Sequence, residues 1–136
     1  MALDVGTKRI GVAMSDELFL TAQGGDTIYR NAPDADMEKI KKLAEENNVG
    51  EIVIGLPISM NGTHSPKTKE VLDFTEKLAK VTSIPLKTWD ERLTTVQAER
   101  ALLEADVSRA KRRLAIDKLA AQIILQSYLD SRKRGS

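Results

Sequence analysis

The chain has 136 residues, 41% hydrophobic and 30% charged, with no cysteine, one histidine and a formal net charge of +1. That length suits one domain over residues 1–136, and the balance is that of a soluble globular protein. Without cysteine there are no disulfides or thiolate zinc sites, and a reducing cytoplasm is the expected home. One imidazole excludes centres built from several, so any metal must be held by oxygen, which points to Mg²⁺ or Mn²⁺. No membrane-length apolar run and no secretory signal occur, so no membrane is expected as a partner. A first strand is normally longer than the few residues before Asp4, so a few natural residues are expected ahead of Met1.

In chain order, residues 1–5 form a short apolar run, 6–9 a turn, and 10–15 alternate as a hairpin partner. Residues 19–28 supply a third strand, with Gly24 and Gly25 marking a bulge. A helix opens at 33–36 and carries Met37, Ile40, Leu43 and Ala44 on one face, until Asn47, Asn48 and Gly50 end it. Residues 51–55 hold Ile52, Val53 and Ile54, a continuous run of the kind buried on both faces of a sheet. A polar loop over 56–66 leads to a second helix with Val71, Phe74, Leu78 and Ala79 inward. Residues 85–90 make the next strand, 94–97 fit a capping box opening a third helix, and 108–113 link to a last helix over about 114–132. Early strands followed by alternating helix and strand imply an α/β fold: a mixed five-stranded sheet with helices on both faces. Ligands of such sheets gather beyond the carboxyl ends of the strands, where Asp4, Asp90 and Glu91 all fall.

These acids carry the chemistry. Asp4 lies inside a strand-forming run, where a carboxylate is costly unless a cation or the N–H groups of the 6–9 turn compensate it. Asp117 is the stronger anomaly. It shares a helical stripe with Ala120, Ala121, Ile124 and Tyr128 that should pack inward; the ordinary alternative is an ion pair with Lys111 or Arg113 near the helix start. Asp90 and Glu91 face opposite ways if both are in a strand, so one of them suffices for a site. Glu91 has the longer reach and Asp90 could stabilise the turn at Arg92, and alternation leaves the choice open. Separated acids converging on one sheet edge can hold two Mg²⁺ ions about 3.5–4 Å apart, which clamp the attacking and leaving oxygens of a phosphodiester.

Charge is unevenly spread. Between residues 106 and 136 the bases Arg109, Lys111, Arg112, Arg113, Lys118, Arg132, Lys133 and Arg134 meet only Asp106, Asp117 and Asp130. Such an end can grip a phosphate backbone with salt-sensitive affinity, although taken alone it reads as a solvated helix end and tail. Lys8 and Arg9 sit in the turn beside Asp4, where they could contact phosphate, and Arg92 could orient its neighbouring acid or bind substrate. The loop Asn61 to Ser65 is placed to cover a substrate backbone; within it His64 reads as a surface residue, and Trp89 reads as core.

The residues Asp4-Val5-Gly6-Thr7-Lys8-Arg9-Ile10-Gly11-Val12-Ala13, Gly55-Leu56-Pro57, Asn61-Gly62-Thr63, Asp90-Glu91-Arg92-Leu93-Thr94-Thr95, Ile116-Asp117-Lys118-Leu119-Ala120-Ala121 and Ile124-Leu125-Gln126-Ser127-Tyr128-Leu129 occur in this order. As an ordered set over nearly the whole chain, this resembles the YqgF-type, RuvX-like family of bacterial Holliday-junction resolvases, also described as pre-16S rRNA nucleases. The resemblance implies a cytoplasmic nuclease of the ribonuclease-H-like fold, dependent on Mg²⁺ or Mn²⁺. It implies catalysis and metal binding by Asp4, Asp117 and an acid of the Asp90-Glu91 pair. Glu91 is preferred because related resolvases use a glutamate as their middle acid, with Asp90 as the alternative. Lys8, Arg9, Arg92, Arg109, Lys111, Arg112 and Arg113 are the expected substrate-binding residues. The implied partner is nucleic acid, pre-ribosomal RNA or branched DNA or both, and a homodimer is kept open.

Two rival readings stand beside this. An ATPase or sugar kinase of the actin-like superfamily has a phosphate-binding hairpin resembling Asp4-Val5-Gly6-Thr7, but it pairs two such domains, and no second Asp-x-Gly hairpin occurs here. A non-catalytic nucleic-acid or ribosome-binding factor would keep the fold without cutting, and the retained acids argue against it.

Overall fold

A computed structural model describes residues 1–93 and 109–134, apart from the side chains of Asp26, residues 109–119, Lys133 and Arg134. The expected capping box at 94–97 lies outside the described residues. The elements are β1 (Ala2–Val5), β2 (Arg9–Ser15), β3 (Ala22–Tyr29), α1 (Pro33–Glu46), β4 (Ile52–Leu56), α2 (Pro66–Val81), β5 (Leu86–Asp90), a 3₁₀ turn (Glu91–Leu93) and α3 (Arg109–Arg134). The sheet runs β3-β2-β1-β4-β5. The hairpin strands pair antiparallel, with Asp4 opposite Gly11, and the crossover strands pair parallel, with Leu3 beside Ile54 and Leu56 beside Asp90. The mixed five-stranded sheet is therefore as expected.

Side-chain alternation sorts the two faces. Leu3, Val5, Ile52 and Ile54 pack with Met37, Ile40, Ala44, Val71, Phe74 and Leu78 of α1 and α2. Ala2, Ala13, Ala22 and Val53 pack with Ala121, Ile124, Leu125 and Tyr128 of α3. Alanines bury little area each, about a methyl group. What they provide is closeness: α3 comes near enough for Gln122 Nε2 to donate to Ala22 O at 2.9 Å and for Gln126 Oε1 to accept from Ala22 N at 2.9 Å. The Tyr128 hydroxyl donates to the Glu51 carboxylate just before β4, while Ile124 lies against Gly55 near the end of that strand. The helix thus runs antiparallel to β4, and its N-terminal half is directed toward the carboxyl edge of the sheet.

The bulge predicted at Gly24 and Gly25 is present. Gly11 pairs with Thr27 but Ala13 with Gly24, so β3 carries one residue more than β2 there. A Cβ on Gly25 would stand 2.8 Å from the Val12 carbonyl oxygen, which is why glycine occupies it.

Three expectations are corrected. The third strand starts at Ala22, not residue 19, because the Asp16 carboxylate accepts from Leu20 N at 2.7 Å and Thr21 N at 3.0 Å and folds those residues into a loop. Ala79 is exposed, and Thr68 takes an inward position on α2 instead. The expected link over 108–113 is helical from Arg109, since Ala110, Lys111, Arg112 and Arg113 are good helix formers with no Gly or Pro among them.

Candidate active site

Three parallel strands deliver their carboxyl ends to one edge of the sheet, and the site is assembled there. Ala2 faces α3, so Asp4, two residues on, shares that face and is half-buried. Continuing the parallel register brings Asp4 level with Gly55 of β4. Glu91 follows β5 in the 3₁₀ turn and reaches back over the same spot: a Cβ on Gly55 would lie 2.9 Å from Glu91 Oε1 and 2.4 Å from Ile124 Cδ1. Glycine at 55 is therefore what gives the carboxylate room between the sheet and α3.

The two neighbouring acids have opposite environments. Burial, with the negative charge of Asp4 next and that of Asp90 a smaller contribution, pushes the Glu91 carboxyl up to about 7, against the opposing pull of Lys67. Asp90 is instead tied to Arg92. Its Oδ1 accepts from Arg92 N at 2.9 Å and its Oδ2 from Arg92 Nη2 at 2.7 Å, and these bonds hold its carboxyl below the usual range. The geometry thus brings Glu91 to Asp4 and leaves Asp90 closing a turn, the role weighed for it from sequence. Much of the Arg92 guanidinium is committed to Asp90, with Nη1 on the side of Gly62, whose φ is +85°.

Lys8 and Arg9 are exposed on the β1–β2 turn. Gly6 N donates to Arg9 O at 2.8 Å, and a Cβ on Gly6 would sit 2.6 Å from that oxygen, so the tight turn requires glycine. Arg30, which the sequence did not single out, braces this turn by donating from Nη1 to Gly6 O at 2.9 Å, and it pairs with the buried Asp36 at 3.5 Å. No sequence signal marks that brace, because an acid in the first turn of a helix already suits the helix dipole. Lys67 was also missed. It lies in the first turn of α2, which is anchored to the end of β4 by the Ser65–Thr68 capping box and by Thr68 Oγ1 donating to Pro57 O.

The remaining candidates divide. Asp117, Arg109, Lys111, Arg112 and Arg113 lie within α3, and their side chains are outside the described residues. His64 is exposed, as expected. Trp89, expected in the core, is partly buried and packs against the α3 layer, edge-on to Tyr128 at 5.7 Å. Among the described residues, no group of three or more His, Cys, Asp or Glu could hold a metal; Asp4 and Glu91 make a pair. That pair fits a hard cation by its chemistry, because both donors are oxygens and their mutual repulsion is what a divalent ion would relieve. Also among the described residues, no helix is long and apolar enough to cross a membrane.

The mixed sheet and the helices packed on its two faces have counterparts among solved structures. RuvC from T. thermophilus in complex with Holliday junction substrate superposes with a TM-score of 0.56 at 11% identity, covering 98% of this chain and 93% of that one. A second structure of Thermus thermophilus RuvC gives 0.52 at 12% identity, covering 98% and 94%. The fold is therefore ribonuclease-H-like. The sequence profile of the RuvX family, described as Holliday junction resolvase, matches residues 1–131. A protein of Thermoanaerobacter pseudethanolicus, provisionally named a pre-16S rRNA nuclease, is 55% identical over 134 residues, covering 98% of this chain and 96% of its own. One of Halothermothrix orenii with the same provisional name is 52% identical over 130 residues, covering 96% and 93%. The chain belongs to the RuvX family, and with it to the nuclease class of hydrolases.

Proposed function

We propose that this chain is a divalent-metal-dependent endonuclease of the bacterial cytoplasm that hydrolyses phosphodiester bonds in structured nucleic acid, using Asp4, Glu91 and Asp117. The observation that carries this reading is Glu91 held over Gly55 and facing Asp4. Position 117 follows by helical period from Ala121, Ile124 and Tyr128, which pack on the sheet, and α3 is directed toward the acid edge. A third carboxylate from that helix would complete the pair.

Mg²⁺ or Mn²⁺, held by these acids, would polarise the scissile phosphate and stabilise charge as it develops. The chain's own residues do the rest. Asp4 comes from a strand bonded on both sides, so its position is rigid. Glu91 Oε1 and Ile124 Cδ1 both stand close over Gly55, so the sheet shields one side of the carboxylate. Lys8 and Arg9, beside Asp4 on the turn, and Arg92 on the far side offer cations to the phosphates flanking the cut. Arg109, Lys111, Arg112 and Arg113 at the start of α3 hold the backbone beyond it.

Maturation of the 5′ end of pre-16S rRNA is the reading favoured by the names of the relatives. Cleavage of Holliday junctions is the second, favoured by the family description and the RuvC complex. A cleavage panel separates them: precursor ribosomal RNA, four-way DNA junctions, duplexes and single strands, each with Mg²⁺, Mn²⁺ or chelator, and ATP hydrolysis measured alongside. Cleavage should require metal. Asp117→Asn and Asp4→Asn should each lower turnover by about 10²–10³ while substrate affinity largely survives, because the lost charge matters most in the transition state. A folded Asp117→Asn chain cutting at the parent rate would remove that residue from the site.

A further inference from the structure

β4 ends at Leu56 beside Asp90, and residues 57–65 carry the chain from there to α2, so this loop borders the acid edge. It also reaches the turn that bears Glu91: a Cβ on Gly62 would stand 3.7 Å from Arg92 Nη1. The loop is closed on itself. Gly62 N donates to Ser59 O at 2.8 Å, Ser59 N to Thr63 O at 3.1 Å, and Thr63 Oγ1 to Asn61 Oδ1 at 2.7 Å. Met60 stands at the corner of that turn, 88% exposed, and Leu93 on the neighbouring 3₁₀ turn is 56% exposed. A lone apolar side chain on an ordinary surface needs no explanation. Met60 differs in its place, fixed by the turn's own hydrogen bonds at the rim of the acid site. The surrounding chain indicates what meets it. From Pro57 to Lys69 there is no acid, although the protein has 20, and the segment carries Lys67 and Lys69. Lys67 meets Glu70 at 3.9 Å, an exposed pair too weak to exclude a phosphate. Ser59, Asn61 and Thr63 add hydroxyl and amide groups of the kind that contact sugar and phosphate. Such a rim accepts a polyanion, and the apolar surface a nucleic acid offers Met60 is the face of a base.

We propose that Met60 is a wedge: it packs against a base unstacked beside the scissile phosphate, so that the chain selects nucleic acid unpaired or branched at the cut over a continuous duplex. The inference rests on reading the acid edge as a site of nucleic-acid cleavage, and adds how that site tells substrates apart. Methionine suits the task, because its unbranched, polarizable side chain conforms to whatever surface it meets. Apolar side chains inserted at a base step must offset the cost of unstacking it, and that cost is least where the base is already unpaired. A continuous duplex hides its base faces, so Met60 gains nothing from it.

The test uses the full chain with 2-aminopurine-labelled RNA and DNA: a continuous duplex, the same duplex with a central bulge, and a four-way junction. The label is stepped through the positions around each irregularity, and binding is followed in chelator and again with Mg²⁺. The parent chain should bind the bulged and branched forms about tenfold more tightly than the continuous duplex, and unstacking should brighten the label beside the irregularity. Met60→Ala should lose that brightening and most of the preference, while Met60→Leu keeps both. Because Met60 is exposed, Met60→Ala should leave duplex affinity and melting temperature unchanged. Lys67→Gln should instead weaken binding to all forms alike, as loss of a phosphate contact does. Brightening without cleavage of any substrate would sink the nuclease reading and leave the wedge standing. Equal affinity of the parent chain for all three forms overturns the proposal. So does Met60→Ala with brightening and preference intact, and a protein is then the occupant of that corner.

Discussion

Glu91 shows what one residue's surroundings do to its stability ledger. Its carboxyl titrates near 7 in the fold against 4.5 unfolded, raised by burial and by Asp4 and Asp90 against Lys67. Below about pH 4.5 both states hold the proton and there is no penalty. As pH rises toward about 7 the unfolded chain releases its proton first, so the folded state loses relative stability, and above that the loss is constant. Glu91→Gln removes this term. The variant should be more stable than its parent by about 1–3 kcal/mol at about pH 8, a discounted fraction of the shift because the group is partly solvated, with the gap closing near pH 4. Added Mg²⁺ should return stability to the parent and little to the variant. Paired thermal melts at the two pH values check this; equal melting temperatures at high pH would mean that Glu91 feels no strain from Asp4. At this scale the sequence was partly legible. Asp4 stood out because an acid in an apolar strand needs a reason. The choice between Asp90 and Glu91 did not, because it depends on Arg92 folding back on Asp90 and on the bare Cα of Gly55, both of them tertiary facts.

Among the elements, strands and layers were readable from periodicity, and their junctions were not. The hairpin β1–β2, the bulge in β3 and the inward faces of α1 and α2 follow from alternation, glycine placement and helical spacing. The onset of α3 was misplaced because a basic cluster looks like a solvated link, whereas its helix propensity is high. The brace under the β1–β2 turn was invisible for a different reason: Arg30 and Asp36 meet only because α1 packs back beside β3. Asp36 is 2% exposed, accepts from Asn31 N at 3.0 Å and pairs with Arg30. Asp36→Ala should therefore cost about 2–4 kcal/mol, since it leaves a partly buried guanidinium and a backbone N–H without their acceptor. Denaturant midpoints measure this, and a change under about 0.5 kcal/mol, the range of ordinary surface substitutions, would deny the brace its role.

For the molecule as a whole, a net charge of +1 conceals a polarity. The bases at the start of α3 are directed toward the acid edge, whereas Arg132 near its other end shares its surroundings with Asp16, Glu17 and Glu51. A polyanion is therefore expected to engage the start of the helix. Replacing Arg112 and Arg113 by Ala should weaken binding to all sequences alike and flatten the log–log salt dependence by roughly 0.9 per lost duplex phosphate contact. Titrations at several salt concentrations give the slope, and an unchanged slope would return the cluster to ordinary solvation.

The same polarity means that α3 spans the molecule from its working edge to its far loop, and Gly55 lies where that span is gauged. Nothing larger than hydrogen stands there between β4, Ile124 and the Glu91 carboxylate. The depth at which the helix seats and the height of the acid above the strand are consequently one mechanical clearance. A packing fault beneath α3, remote from any phosphate, would lift Ile124 and slacken the wall that steadies the acid. If Glu91 has the role proposed for it, imperfect folding of that layer would be expressed first as slower cutting, before the molecule lost its shape.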